Sequence, residues 1–202
     1  MTYEITTDEK TRFQLVSSET NVKFGMFILG GEQKWRSAVL TKYSISSRSE
    51  WTTTARDIED YPEKVRELNF DNTMCVVESC AGLGGLMQYL TGLKESRPKR
   101  LVAIDFVNYK TLRDLIEKAK EYRTAPDEQI FLDKMLQRCE LLLGPEIELH
   151  NVSIKQALQD ESLFEIADVL VENRGPASSQ YQLMNHTVYN YFMKLRGIQI
   201  IS

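Results

Sequence analysis

A chain of 202 residues, 42% of them hydrophobic and 27% charged, can bury one sizeable core, with or without an N-terminal appendage. Its 25 basic and 29 acidic residues leave a net charge of −4, so net charge does not indicate nucleic acid or an anionic membrane as a partner. Three cysteines without a C-x-x-C pair, and only two histidines (His150 and His186), argue against a disulfide framework and against a metal site.

No signal-peptide pattern or apolar run of membrane-spanning length is visible, and a cytoplasmic protein is the expectation. Residues 1 to about 20 are polar and show no strong pattern. Asn21 to Gly31 and Ser37 to Ser46 read as a hairpin or a pair of strands, the first closed by Gly30-Gly31. Ser44 to Thr54 is rich in hydroxyls and, with Arg48, Trp51 and Arg56, reads as a solvated loop or a phosphate or substrate contact. Residues 1–56 are therefore set apart as an extension.

From Asp57 to Leu68, early acids and late bases follow the preference of a helix dipole and predict a helix. The stretch Met74 to Asp105 then organises the rest. An apolar run (Cys75, Val76, Val77) ends on Glu78 and is followed by the small-residue turn Ser79-Cys80-Ala81-Gly82-Leu83-Gly84-Gly85. An apolar helical stretch and a second apolar run, Leu101 to Ile104, lead to another acid, Asp105. Strand, glycine turn, helix and strand make a βαβ unit with parallel strands.

Two helices are expected next, over Tyr109 to Tyr122 and Glu128 to Leu143, separated by Ala125-Pro126-Asp127 and ended by Gly144-Pro145. Glu146 to Val152 reads as a third strand, Ile154 to Leu163 as a helix and Ala167 to Val171 as a fourth strand. Ser178 to Leu195 reads as a helix and Gly197 to Ile201 as a fifth strand. The alternation predicts an α/β fold with a doubly wound, mostly parallel sheet over residues 57–202.

Glycines after a first strand let a ligand approach bare backbone, and an acid at the tip of the second strand can accept from ribose hydroxyls. Gly82 and Asp105 are 23 residues apart, near the ~20 of such units. A G-x-G-x-x-G fingerprint started at Gly82 would put Met87 at its third glycine, which argues against a dinucleotide. The stretch instead resembles motif I of the class I (Rossmann-like) S-adenosylmethionine-dependent methyltransferases, acid-x-G-x-G-x-G, with Cys80 in place of the first glycine.

The resemblance implies S-adenosylmethionine as cofactor. Glu78 would lie near its methionine end, Cys80, Gly82 and Gly84 in the turn, Asp105 at the ribose, and Phe106 beside it. A cationic sulfonium also suits acids better than a pyrophosphate would. At the end of the fourth strand, Glu172 and Asn173 are the catalytic candidates, as a base or as groups that orient an amine. They serve equally as caps of the following turn. The AGLGG turn and Gly175-Pro176 also look like parts of the cytosine-5 DNA methyltransferases, but Pro176-Ala177 lacks their nucleophilic cysteine.

The implied function is methyl transfer to an undetermined acceptor; the alternative is a non-catalytic methyltransferase-like interaction module. Members of the family usually carry two more strands after the fifth. The N-terminal strands are expected to complete the sheet, unless the chain is a fragment or module whose sheet edge is covered by a protein partner or a second copy in a homodimer.

Overall fold

The computed structural model describes residues 2–8, 11–17, 24–28, 39–43, 50–54, 57–122, 126–173 and 185–201. Arg48, Arg56 and the segment Arg174-Gly175-Pro176-Ala177 lie outside them. The chain divides into two compact units, Met1–Ala55 with Val107–Glu140, and Arg56–Phe106 with Leu141–Ser202.

The first unit contains one sheet of β1 (Thr2–Asp8), β2 (Thr11–Ser17), β3 (Phe24–Ile28), β4 (Val39–Tyr43) and β5 (Glu50–Thr54), paired in chain order. All neighbours are antiparallel except β3 and β4, which run parallel with Gly25 opposite Val39. The two strands expected here do pair, but not as a hairpin, because a tight turn cannot join parallel neighbours. They also do not extend the second unit's sheet, as the expected completion required; they belong to a sheet of their own. β1 and β2 were not foreseen, although Tyr3/Ile5 and Phe13/Leu15 alternate with polar residues as strands do. β5, which includes Trp51, takes the end of the expected hydroxyl-rich loop, where three consecutive threonines suit a strand.

The same unit holds α3 (Tyr109–Tyr122) and most of α4 (Pro126–Leu143), close to the predicted bounds. The Lys120 ammonium pairs with Asp133, and Gln129 Nε2 donates to the Lys120 carbonyl at 2.9 Å, so the two helices are linked by polar contacts.

The second unit is built on β6 (Cys75–Ser79), β7 (Arg100–Ile104), β8 (Glu148–His150), β9 (Ala167–Glu172) and β10 (Met193–Ile201). Their order is β10-β9-β6-β7-β8 and every pair is parallel. This is an α/β sheet whose strand order reverses between β6 and β9. Those central strands are nearly continuous apolar runs, as burial on both faces demands.

Around the sheet are a single turn of helix, α1 (Glu63–Arg66), then α2 (Gly85–Thr91) and α5 (Ile154–Ala157). The helix expected over Asp57 to Leu68 is split: Ile58–Asp60 is a 3-10 turn, and Pro62 separates it from α1. α5 is short, and Ser153 caps it by accepting from the Gln156 N–H at 3.3 Å. The helix expected over Ser178 to Leu195 is corrected in its described part. His186–Tyr191 is a 3-10 turn, and strand begins at Met193. Ala167 donates to the Phe192 carbonyl at 2.7 Å and Glu165 to that of Tyr191 at 2.9 Å, which draws this segment into line with β9.

Register assigns the faces. Laterally paired residues of a parallel sheet point the same way, and successive residues alternate. Cys75, Val77, Val102, Ile104 and Leu170 fall on one face and join Ile154, Ala157, Leu163, Tyr189 and Phe192 in a buried apolar cluster. Val76, Leu101, Ala103, Val169 and Val171 occupy the other face and are also buried.

β10 follows β9 with a break: Met193 pairs with Ala167, but the next pair is Ile198 with Val169. The surplus residues bulge, with Arg196 at φ +73° and Leu195 exposed. Among the described residues, no helix is long and apolar enough to cross a membrane.

Candidate functional site

The carboxyl ends of β6, β7 and β9 carry Glu78, Asp105, Glu172 and Asn173, all buried at 0–6% exposure. A carboxylate is rarely so buried unless it is well supplied with donors.

The turn after β6 is held from β7. The Cys80 N–H donates to the Ile104 carbonyl at 2.8 Å, and the Gly82 N–H donates to Asp105 Oδ2, also at 2.8 Å. Three alternate residues lie in the left-handed region: Cys80 at φ +57°, Gly82 at +56° and Gly84 at +61°. Cys80 thus takes a backbone conformation that favours glycine, at a cost of about 1–2 kcal/mol that a glycine avoids. Its side chain is half-buried against the apolar cluster of the first face. A Cβ added at Gly84 would stand 3.0 Å from Leu142 Cδ2, so the room on that side is taken by the end of α4. Gly84 is also the N-cap of α2.

Asp105 is fixed on its backbone as well. Its N–H donates to the His150 carbonyl at 3.1 Å, and the Asp105 carbonyl accepts from Asn151 Nδ2 at 2.9 Å. Phe106 follows it at 37% exposure.

Register separates the two catalytic candidates. Ser79 pairs with Glu172, which puts Glu172 on the face of the apolar cluster, whereas Asn173 shares the opposite parity with Glu78 and Asp105. Each glutamate is met by a tyrosine. The Tyr61 hydroxyl donates to Glu78 Oε1 at 2.5 Å. The Tyr189 hydroxyl donates to Glu172 Oε2, which also accepts from Ser79 Oγ at 3.3 Å. Burial, and then the Glu172 carboxyl, push the Tyr189 phenol far above its ordinary pKa, so it stays a donor. Asn173 Nδ2 donates to the Asp60 carbonyl at 3.3 Å.

Of the expected residues, Asp105 is tied to the turn through Gly82 and Glu172 through Ser79, whereas Asn173 is bonded to Asp60. Tyr61 and Tyr189 were missed. Each lies 17 residues from its glutamate, and no spacing rule connects them.

His150, at the end of β8, is largely buried and engaged by acids. Its Nε2 lies 2.7 Å from Glu148 Oε1, and its Nδ1 lies 3.5 Å from Asp160 Oδ2. Arg100 binds Glu148 with two hydrogen bonds of 2.8 Å. The Arg100 hydrogen bonds hold the Glu148 carboxyl down at about 2, with a smaller contribution from the His150 hydrogen bond. Among the described residues, no group of three or more His, Cys, Asp or Glu is arranged to hold a metal ion.

No protein-family model matches the chain, and no curated protein matches it in sequence.

Proposed function

We propose that the chain binds S-adenosylmethionine at the carboxyl ends of β6 and β7 and transfers its methyl group to an acceptor. The observation that carries this reading is the turn between two buried acids, with left-handed backbone at each of the three alternate positions that motif I gives to glycine. The strand order supports it, because ligands of open α/β sheets bind where that order reverses. So does the sign of the charge: Glu78 and Asp105 beside one turn disfavour a pyrophosphate and suit a cation.

The residues fit the cofactor in kind. Asp105, its carboxylate oriented by the Gly82 N–H, would accept from ribose hydroxyls, and Phe106 offers an aromatic face beside it. Glu78 would lie toward the sulfonium. When bound, the cofactor supplies an electrophilic methyl. The chain's own part is to align an acceptor and exclude water, which requires few diagnostic side chains.

Calorimetry tests the reading. S-adenosylmethionine and S-adenosylhomocysteine should bind and NAD should not. Asp105→Ala should weaken binding about ten- to hundredfold, the equivalent of roughly 1.5–3 kcal/mol for hydrogen bonds to a charged acceptor. Unchanged affinity in that variant would remove Asp105 from the ribose.

One observation favours a second reading, a non-catalytic module of the same kind. Glu172 is fully buried and hydrogen-bonded to Tyr189, so it is no ready base for an acceptor. Labelled methyl transfer to a panel of proteins, nucleic acids and small molecules separates the two, since only the enzyme yields labelled product.

A further inference from the structure

Two side chains at the strand-order reversal reach back to the segment that precedes the sheet. Glu78, near the end of β6, accepts from the Tyr61 hydroxyl at 2.5 Å, the short end of the range for a phenol on a carboxyl oxygen. Asn173, just beyond β9, donates to the Asp60 carbonyl at 3.3 Å. Since β6 and β9 are hydrogen-bonded neighbours, residues 57–61 are tied down at two adjacent strand ends.

The segment is stiff in itself. The Asp57 N–H donates to Asp60 Oδ2 at 3.0 Å, and the Asp60 and Tyr61 N–H groups donate to the carbonyls of Asp57 and Ile58 at 3.0 and 3.1 Å. Tyr61 is extended at φ −87°, ψ 156°, as a residue before proline must be, and Pro62 fixes the exit. The 3-10 turn also lies against α2, the helix that starts from the glycine turn. Tyr61 is 5% exposed and Val65 wholly buried, but Glu59 and Asp60 face solvent. The end of β6, the helix that follows the glycine turn and the end of β9 therefore all border one short, prefolded stretch, with polar contacts at both strand ends.

We propose that residues 57–61 form a strap over the ligand crevice, with Tyr61 and Asn173 as its two latches, and that releasing the latches opens the crevice. The ligand part rests on the S-adenosylmethionine reading above; the strap itself does not. Tyr61 is a positioning residue: its hydroxyl acts through Glu78, which it holds in one orientation at the crevice wall. Tyr61→Phe keeps the ring in its buried site and removes the hydroxyl that donates to Glu78. Asn173→Ala removes the second latch at the other strand end.

Hydrogen exchange on the full chain, without ligand, is the direct test. Both variants should speed exchange at the Asp60, Tyr61 and Val65 amides about tenfold or more, while β6, β7 and β9 stay protected as in the wild type. Stopped-flow release of S-adenosylhomocysteine should then quicken by a similar factor in both. Exchange unchanged in Asn173→Ala would overturn the strap even if Tyr61→Phe does not fold. Faster exchange spread evenly over the sheet would also overturn it, because the contacts would then only support the core. If the wild type binds neither S-adenosylmethionine nor S-adenosylhomocysteine, the functional reading fails, and exchange alone decides whether the strap exists.

Discussion

Gly84→Ala is the sharpest test of how the turn is built. At φ +61° and ψ 37° an alanine enters the left-handed region, which costs about 1–2 kcal/mol for an L-residue. Its Cβ would also stand 3.0–3.1 Å from three carbons of Leu142, a side chain with no exposed surface into which it could swing. Crowding of a closed core costs about 1–3 kcal/mol, and the smaller freedom of the unfolded alanine chain returns roughly 0.4–1 kcal/mol. The expected loss is about 1–4.6 kcal/mol, read as a lower urea midpoint with unchanged slope, or as roughly 2–4 °C of Tm per kcal/mol. Leu142→Ala in the same chain should recover the crowding part but not the backbone part, so the double variant should be less destabilised than the sum of the singles. A Gly84→Ala midpoint indistinguishable from the wild type would refute both the left-handed turn and the contact with Leu142.

Two other outcomes follow from the electrostatics. Glu148 is held well below its ordinary range, first by the Arg100 hydrogen bonds, so its contribution is present above the unfolded pKa near 4.5 and is lost as pH falls through about 2. Its side chain is 39% exposed and screened by solvent, so Glu148→Gln should cost only on the order of 1 kcal/mol at pH 6, and urea titrations should show that difference vanishing toward pH 2. Burial pushes the Cys75 thiol up to about 11 and the Cys139 thiol up to about 12, whereas Cys80 is half-exposed. Iodoacetamide at pH 8 should label Cys80 first, with the other two modified only on denaturation; peptide mass spectrometry that found Cys75 or Cys139 labelled first would contradict their burial.

The parallel sheet was legible because its strands are buried on both faces and so read as plain apolar runs: Cys75 to Val77, Leu101 to Ile104, and Ala167 to Val171. The acids that end those runs were legible for the same reason, since each interrupts an apolar pattern. Which face each acid takes was not. That depends on the pairing of Ser79 with Glu172, and a shift of one residue would exchange the faces of Glu172 and Asn173. The 3-10 turn and strand that replace part of the expected last helix depend on the carbonyls of Tyr191 and Phe192 accepting from the N–H groups of Glu165 and Ala167, contacts that no local window contains. The first two strands did carry a signal in the alternation of Tyr3 and Ile5 and of Phe13 and Leu15, hidden by the polar residues between them.

The irregular start of β10 bears on self-association. An outermost strand with a full row of unpaired backbone groups is a template on which further chains can stack. Among the described residues β10 is the last strand of its sheet, and regular pairing with β9 resumes only at Ile198, so the stretch before Ile198 offers no flat template. That stretch carries the exposed cations Arg196 and Lys194, the latter paired with Asp168 at 2.7 Å, and the left-handed backbone at Arg196 breaks the regular strand. Straightening that bulge would lengthen the ladder and at the same time give the protein a longer surface for fibril-like stacking.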